Sequence, residues 1–325
     1  MSDPGTRKAD ASHEEIAQRL RTVYSAAARD IIERLNKHQQ RLIAEDAKKR
    51  AEVSAGTLSE AAYRSWLSGQ VFRGRLWQQQ VSSLTDTMLD ANRQALRIID
   101  GERRAVFGEN ASYQAYRLEH DANLDMGFTV YDSATVTRLI RNQPRLLPDK
   151  RLSSVKDAAW NRKTITAEIT RGILSGASIE EIARNIGNAL GNKNEKSMLR
   201  YARTAMTAAQ NAGRMEVLDE ALEMGVRVKK VWLATLDNRT RDAHAHLDGQ
   251  VREVHEPFDS DLGPIMYPGD PAADEANTWN CRCTLVYEYE EYPKNAGSRY
   301  DQQHGEFIED MSYDDWKEWA EEDDW

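Results

Sequence analysis

The chain has 325 residues, of which 40% are apolar and 30% charged, with a formal net charge of −9 and only two cysteines. That is too apolar for a wholly disordered chain, too polar for one large compact core (mean hydropathy −0.73), and without the ~18-residue apolar run of a membrane span. Two cysteines one residue apart exclude a disulfide framework, and the opening MSDPGTRKAD lacks the apolar core of a secretory signal, so a reducing cytoplasm is the expected starting compartment.

Residues 1–12 are expected to be a flexible start. From His13 to about Val53 good helix formers dominate, and Ile16, Leu20, Val23, Ala27, Ile31 and Leu35 recur at three- and four-residue spacing, the stripe of an amphipathic helix. Thr57-Leu58-Ser59-Glu60 has capping-box spacing and predicts a second long helical region to about Arg104, broken near Gly69 to Gly74. Gly101, Gly108 and Asn110 predict a boundary, with weak periodicity over 111–132. A short helix is expected around Ala134 to Asn142, stopped by Pro144 and Pro148.

Asp157 to Leu174 reads as a helix on Ile165, Ile169 and Ile173. Ser178-Ile179-Glu180-Glu181 is a second capping box opening a helix to about Leu190. Lys196 to Met224 is the clearest helix, with Leu199, Ala202, Met206, Ala209, Gly213 and Val217 on one face and Gly225 as its stop. The period then changes. Val226 to Leu233, Val251 to Val254 and Thr284 to Tyr289 read as short strands. The expected fold is therefore mainly α, with long N-terminal and central helices followed by a small α+β unit and an acidic tail. The expected divisions are 1–110, 111–225, 226–290 and 291–325.

Charge is uneven along the chain. Val286 to Trp325 holds fourteen Asp/Glu against three Lys/Arg, whereas Arg138 to Lys163 holds eight basic residues against two acidic. Arg138, Arg141, Arg145, Lys150, Arg151 and Lys156 are candidates for nonspecific contact with double-stranded DNA, which needs only clustered positive charge. No aromatic interleaving accompanies them, so sequence-specific reading is not expected. A solvated helix face is the competing reading. The tail is expected to be disordered or a short amphipathic helix on Met311, Trp316 and Trp319 that docks on a partner.

Chemistry-bearing residues concentrate between Val231 and Leu285, which hold both cysteines and three of the seven histidines. In an extended segment Cys281 and Cys283 point to one face. His244 adds a third ligand, and His246, His255, Asp237 or Asp248 a fourth; the candidate set is His244, Cys281, Cys283 and Asp248. Zinc favours four such ligands and would staple a unit with a thin core. The competing reading is two buried free thiols and a hydrogen-bonded histidine, without metal. A disulfide between Cys281 and Cys283 would be strained. Asp237, Arg239 and Arg241 read either as a catalytic clamp or as a fixed loop in which Asp237 pairs with an arginine and accepts amides. Phosphate-binding loops, dinucleotide fingerprints, nucleophile elbows and H-E-x-x-H are absent from the sequence.

The ordered run Trp232…Asp237-x-Arg239-Thr240-Arg241-x-x-His244-x-x-Leu247-Asp248-Gly249-Gln250, then Phe258, Pro268-x-Asp270-Pro271 and Asn280-Cys281-Arg282-Cys283, resembles the phage Mu F-type head morphogenesis family. Ala202-Arg203-Thr204, Ala209, Asn211 and Gly213-Arg214 are similar to the segment preceding the family's cassette. The resemblance covers about residues 160–288, fades over the N-terminal 130 residues and is absent in the tail. It implies a low-copy minor head protein associated with portal protein and capsid subunits, acting in capsid assembly and in DNA packaging or delivery. That places it in the virion, at the head interior or portal vertex, after assembly in the host cytoplasm, with no membrane. Some relatives carry an ADP-ribosyltransferase domain after the cassette; with only about forty residues, acidic on balance, following it here, the chain is expected not to be an enzyme. The alternative is a metal-dependent nuclease or hydrolase built from the His, Asp, Arg and Cys residues of the cassette.

Overall fold

The computed structural model describes residues 3–73, 75–148, 154–289, 298–301, 306–309 and 312–322. Helices come first: α1 (Pro4–His38), α2 (Gln40–Ser54), α3 (Glu60–Arg73), α4 (Arg75–Ala122), α5 (Ser133–Asn142), α6 (Ser154–Ser175) and α7 (Ile179–Glu223). The small α+β part follows: β1 (Val228–Leu233), α8 (Asp242–Ala245), β2 (Val251–Glu253), β3 (Phe258–Ser260), β4 (Gly263–Ile265), α9 (Glu275–Thr278) and β5 (Thr284–Tyr289). Last come β6 (Ser298–Asp301), β7 (Glu306–Glu309) and α10 (Tyr313–Glu322). The fold is mainly α with a small α+β unit near the C-terminal end, as expected.

The chain divides into two compact units. One comprises Ala17–Ile98 and Lys150–Leu199. Its apolar stripes are those of the sequence: Leu20, Ile31, Leu35, Ile165, Ile169 and Ile173 are all buried. A polar chain runs through this interior. The Tyr24 hydroxyl donates to Asn92 Oδ1 (2.6 Å), Asn92 Nδ2 to Asn194 Oδ1 (3.2 Å), and Asn194 Nδ2 to Asn161 Oδ1 (3.0 Å). Buried amides seek partners, and Asn92 and Asn194 are each satisfied at both amide atoms within this chain. Glycines 187 and 191 allow tight packing: a Cβ on Gly187 would lie 2.9 Å from the Ala28 carbonyl, and one on Gly191 3.2 Å from that of Tyr24.

The break expected between Leu190 and Lys196 is therefore absent, and α7 runs unbroken to Glu223. Gly187 and Gly191 are close-packing positions there, and Asn194 is a buried bonding position. Capping also departs from expectation once. Ser178 caps α7 as predicted, accepting from the Glu181 amide. At α3, however, Ser59 accepts the Ala62 amide, while the Thr57 hydroxyl donates back to the Glu52 carbonyl.

The other unit comprises Met1–Ile16, Ile99–Asp149 and Arg200–Trp325. The predicted boundary at Gly101, Gly108 and Asn110 lies inside α4. Asn110 Nδ2 donates to the Val106 and Gly5 carbonyls, and a Cβ on Gly108 would sit 2.5 Å from the Tyr131 carbonyl oxygen. The start is not flexible coil either: α1 begins at Pro4, and Asp3 accepts from the Thr6 amide and from Arg214.

The sheet has the order β2-β1-β5, both pairings antiparallel, with Trp232 opposite Leu285. Val228, Lys230 and Trp232 alternate inward. The hairpin β3-β4 was not anticipated; its residues are too few for a period to show. The tail forms a helix, and it docks within this unit. Trp316 is fully buried, its Nε1 donates to Glu119 (2.7 Å), and Tyr313 meets Tyr113 edge-on at 5.2 Å.

Candidate metal centre

The site is assembled where β1, α8, α9 and the approach to β5 meet. His244 sits on the single turn α8, which is too short to persist on its own. It is held by Arg241, whose Nη1 donates to the Asn277 carbonyl (3.3 Å) and whose Nη2 donates to that of Trp279. Trp232 from β1 packs edge-on against the His244 ring at 5.2 Å, and Phe258 packs on Trp232 at 5.3 Å. These rings seal one side from water.

The cysteines arrive on an extended segment that α7 holds in place. Asn280 takes a left-handed conformation (φ 56°), which asparagine tolerates better than most residues, and its amide donates to Thr204. The Thr207 hydroxyl donates to the Cys281 carbonyl (2.6 Å), and Asn211 Nδ2 donates to that of Cys283 (3.3 Å). Asn211 Oδ1 accepts the Leu285 amide (2.6 Å). With alternate carbonyls turned to α7, both thiols turn to His244. Cys281 Sγ lies 3.5 Å and Cys283 Sγ 3.6 Å from His244 Nδ1. All three residues are buried, and their ligand atoms lie within 4.8 Å of one another, close enough to hold one metal ion.

Electrostatics follow the geometry. The Cys281 thiol donates to the Cys283 sulfur, which pulls Cys283 down to about 5 against the effect of burial. The same bond and burial push Cys281 up.

The remaining predicted residues lie elsewhere. Asp248 is exposed, and its Oδ1 accepts the Ala234 amide (2.8 Å), so it fixes the loop after β1. His246 pairs with Asp261 (2.9 Å), and His255 with Asp219 (3.5 Å). Asp237 accepts both Arg282 guanidinium nitrogens at 2.6 Å and the Arg239 amide at 2.9 Å. The Arg282 hydrogen bonds hold its carboxyl well below the usual range. The clamp is thus a fixed loop. Arg138, Arg141 and Arg145 are exposed in one compact unit and Lys156 in the other, while Lys150 and Arg151 lie outside the described residues.

Asn277, at the centre, and Arg214, which anchors β5, escaped the sequence reading. Asn277, in the unremarkable run Asp274-Glu275-Ala276-Asn277, contacts His244 directly (3.0 Å). Arg214, fully buried, donates to the Leu285 carbonyl (3.1 Å), to Asn110 (3.0 Å) and to Asp3 (2.5 Å). Its one signal was its place in Asn211-Ala212-Gly213-Arg214, cited only for likeness.

Comparison with known proteins agrees with this geography. The family model for phage Mu protein F like proteins matches residues 163–286. A minor head protein, GP7 of Bacillus phage SPP1, is 27% identical over 232 residues, covering 68% of this chain and 71% of its own. An NAD(+)–arginine ADP-ribosyltransferase, EFV of Enterococcus faecalis, is 33% identical over 209 residues, covering 62% of this chain. An uncharacterized protein of Haemophilus influenzae is 24% identical over 198 residues. The chain spans 40% of the length of the Enterococcus and Haemophilus relatives. No solved structure matches. The Enterococcus relative overturns the expectation that the chain is not an enzyme, because the aligned residues are shared with a protein named for an enzymatic activity.

Proposed function

Residues 163–286 belong to the phage Mu protein F like family, and from that premise we propose that the chain is a minor head protein bound to the portal protein and inner capsid. It acts there in capsid assembly and in DNA packaging or delivery. The observation that carries the reading is the alignment with the SPP1 minor head protein over 71% of that protein's length. The virion is the corresponding location, reached from the host cytoplasm during assembly. Exposed Arg138, Arg141 and Arg145 offer phosphate contacts whose strength would fall as salt rises. Among the described residues no helix is long and apolar enough to cross a membrane.

The centre at His244, Cys281 and Cys283 takes zinc in this reading. With Zn–S near 2.3 Å and Zn–N near 2.0–2.1 Å, the S···N edge of a tetrahedral site is about 3.5–3.6 Å. The observed separations are 3.5 and 3.6 Å. Two sulfurs and an imidazole form the soft donor set that zinc prefers. Bound there, the ion would tie α8 to the segment entering β5. The nuclease alternative is not favoured, since His244 is buried and Asp237 is engaged by Arg282 rather than facing the centre.

Co-purification tests the portal assignment. The tagged chain, expressed with the portal subunit of its own phage, is expected to retain that subunit through washes at moderate salt. A portal subunit that passes through unretained would remove portal binding from the proposal.

A further inference from the structure

The metal-facing nitrogen of His244 is chosen by a residue outside the ligand set. Asn277 is fully buried, and each polar atom of its amide is occupied. Its Nδ2 donates to the Gly263 carbonyl at 2.9 Å, at the start of β4. Its Oδ1 accepts the Ser260 hydroxyl at 3.1 Å and lies 3.0 Å from His244 Nε2. Ser260 is itself placed by the Leu262 amide, which donates to its Oγ at 3.2 Å.

The amide has one workable orientation. Reversed, it would set its oxygen against the Gly263 carbonyl at hydrogen-bond distance, a repulsive pairing of two acceptors. With Oδ1 turned to the imidazole, Nε2 must carry the proton and donate. Nδ1 is then left with a lone pair, and that lone pair faces both sulfurs. A histidine whose far nitrogen is held this way is the arrangement that orients a metal ligand and strengthens its basicity.

We propose that Asn277 is the positioning residue of the centre: by accepting from Nε2 it fixes His244 as the Nε2–H tautomer and presents Nδ1, with the two cysteine sulfurs, to one soft divalent metal ion. The metal part of this inference rests on the zinc reading above; the tautomer part does not.

The test uses the full chain, reduced, with ¹⁵N-labelled histidine, and Asn277→Asp and Asn277→Leu variants. Long-range ¹H–¹⁵N correlation reads the His244 tautomer, and cobalt titration, with its thiolate charge-transfer band, reads affinity; zinc should displace the cobalt. Wild type is expected to show Nε2–H both without metal and with it. Asn277→Leu is expected to lose the single tautomer and about 10–100-fold in cobalt affinity. Asn277→Asp keeps an oxygen for Nε2 but loses the donor to the Gly263 carbonyl, so it is expected to keep the Nε2–H tautomer at a cost in stability. An Nδ1–H tautomer in metal-free wild type overturns the assignment. So does a folded Asn277→Leu variant with wild-type tautomer and affinity. If the leucine variant does not fold, the wild-type tautomer and the aspartate variant decide. Wild type that binds neither cobalt nor zinc defeats the zinc reading alone, and its tautomer still decides the role of Asn277.

Discussion

Glu216 lies on α7 in a cavity lined also by Asp219, Glu220, Glu223, Arg138, Gln143 and His255. Burial, then the neighbouring Asp219, Glu220 and Glu223, push its carboxyl up from 4.5 to about 7. The folded state therefore holds this proton more tightly than the unfolded state does. Ionisation opposes folding: the penalty is absent below about 4.5, grows as pH rises, and is complete above about 7. Glu216→Gln should raise Tm by roughly 2–4 °C at pH 8, after allowance for solvent screening, and change it little at pH 4. Thermal melts followed by circular dichroism at the two pH values measure this. An equal shift at both would show that the effect is not ionisation. Such a residue was not legible in the sequence, where four acids near a helix end look like a solvated face. The thiol pair was legible, because alternation in an extended segment needs only two residues and a period of two. Asn277 was not, because its role comes from a β4 carbonyl and a hydroxyl that meet it only in the fold.

Among the helices, the apolar stripes of α1, α6 and α7 were readable because a period of 3.6 repeats many times over their lengths. Gly101 and Gly108 were misread as a boundary because glycine serves two purposes in helices. Gly225 ends α7 with a positive φ of 86°, as a stop signal should. Gly213 lies within α7, where a Cβ would stand 2.4 Å from the Phe107 carbonyl oxygen and 3.2 Å from the Ala111 nitrogen, both on α4. Gly101, in α4, has nothing within 4 Å. The two should respond oppositely to alanine. Gly213→Ala should destabilise by about 1–3 kcal/mol through overpacking, and Gly101→Ala should stabilise by about 0.5–1 kcal/mol through helix propensity. Chemical denaturation of both variants measures the difference; the same sign for both would contradict the close approach of α4 and α7. The tail helix was one of two expected readings, the other being disorder. Its acidic residues suggested disorder, but Trp316 and Tyr313 supply enough buried aromatic surface to hold α10 in place.

For the whole molecule, the change of period after Gly225 was enough to announce a mainly α chain ending in a small α+β unit. The division into compact units was hidden from a linear reading. Each unit gathers segments far apart in sequence, and residues 163–286, which carry the family match, fall partly in both. Family kinship was legible because the cassette is an ordered series of motifs rather than one short pattern. The proposed minor head role makes this chain a component of a phage head. Quantitative mass spectrometry of purified, DNA-filled heads from the phage or induced prophage that encodes it tests this most directly. Peptides from the α7-to-β5 region are expected at low copy relative to the major capsid subunit and in step with the portal protein. Heads that contain the portal but none of this chain would contradict it.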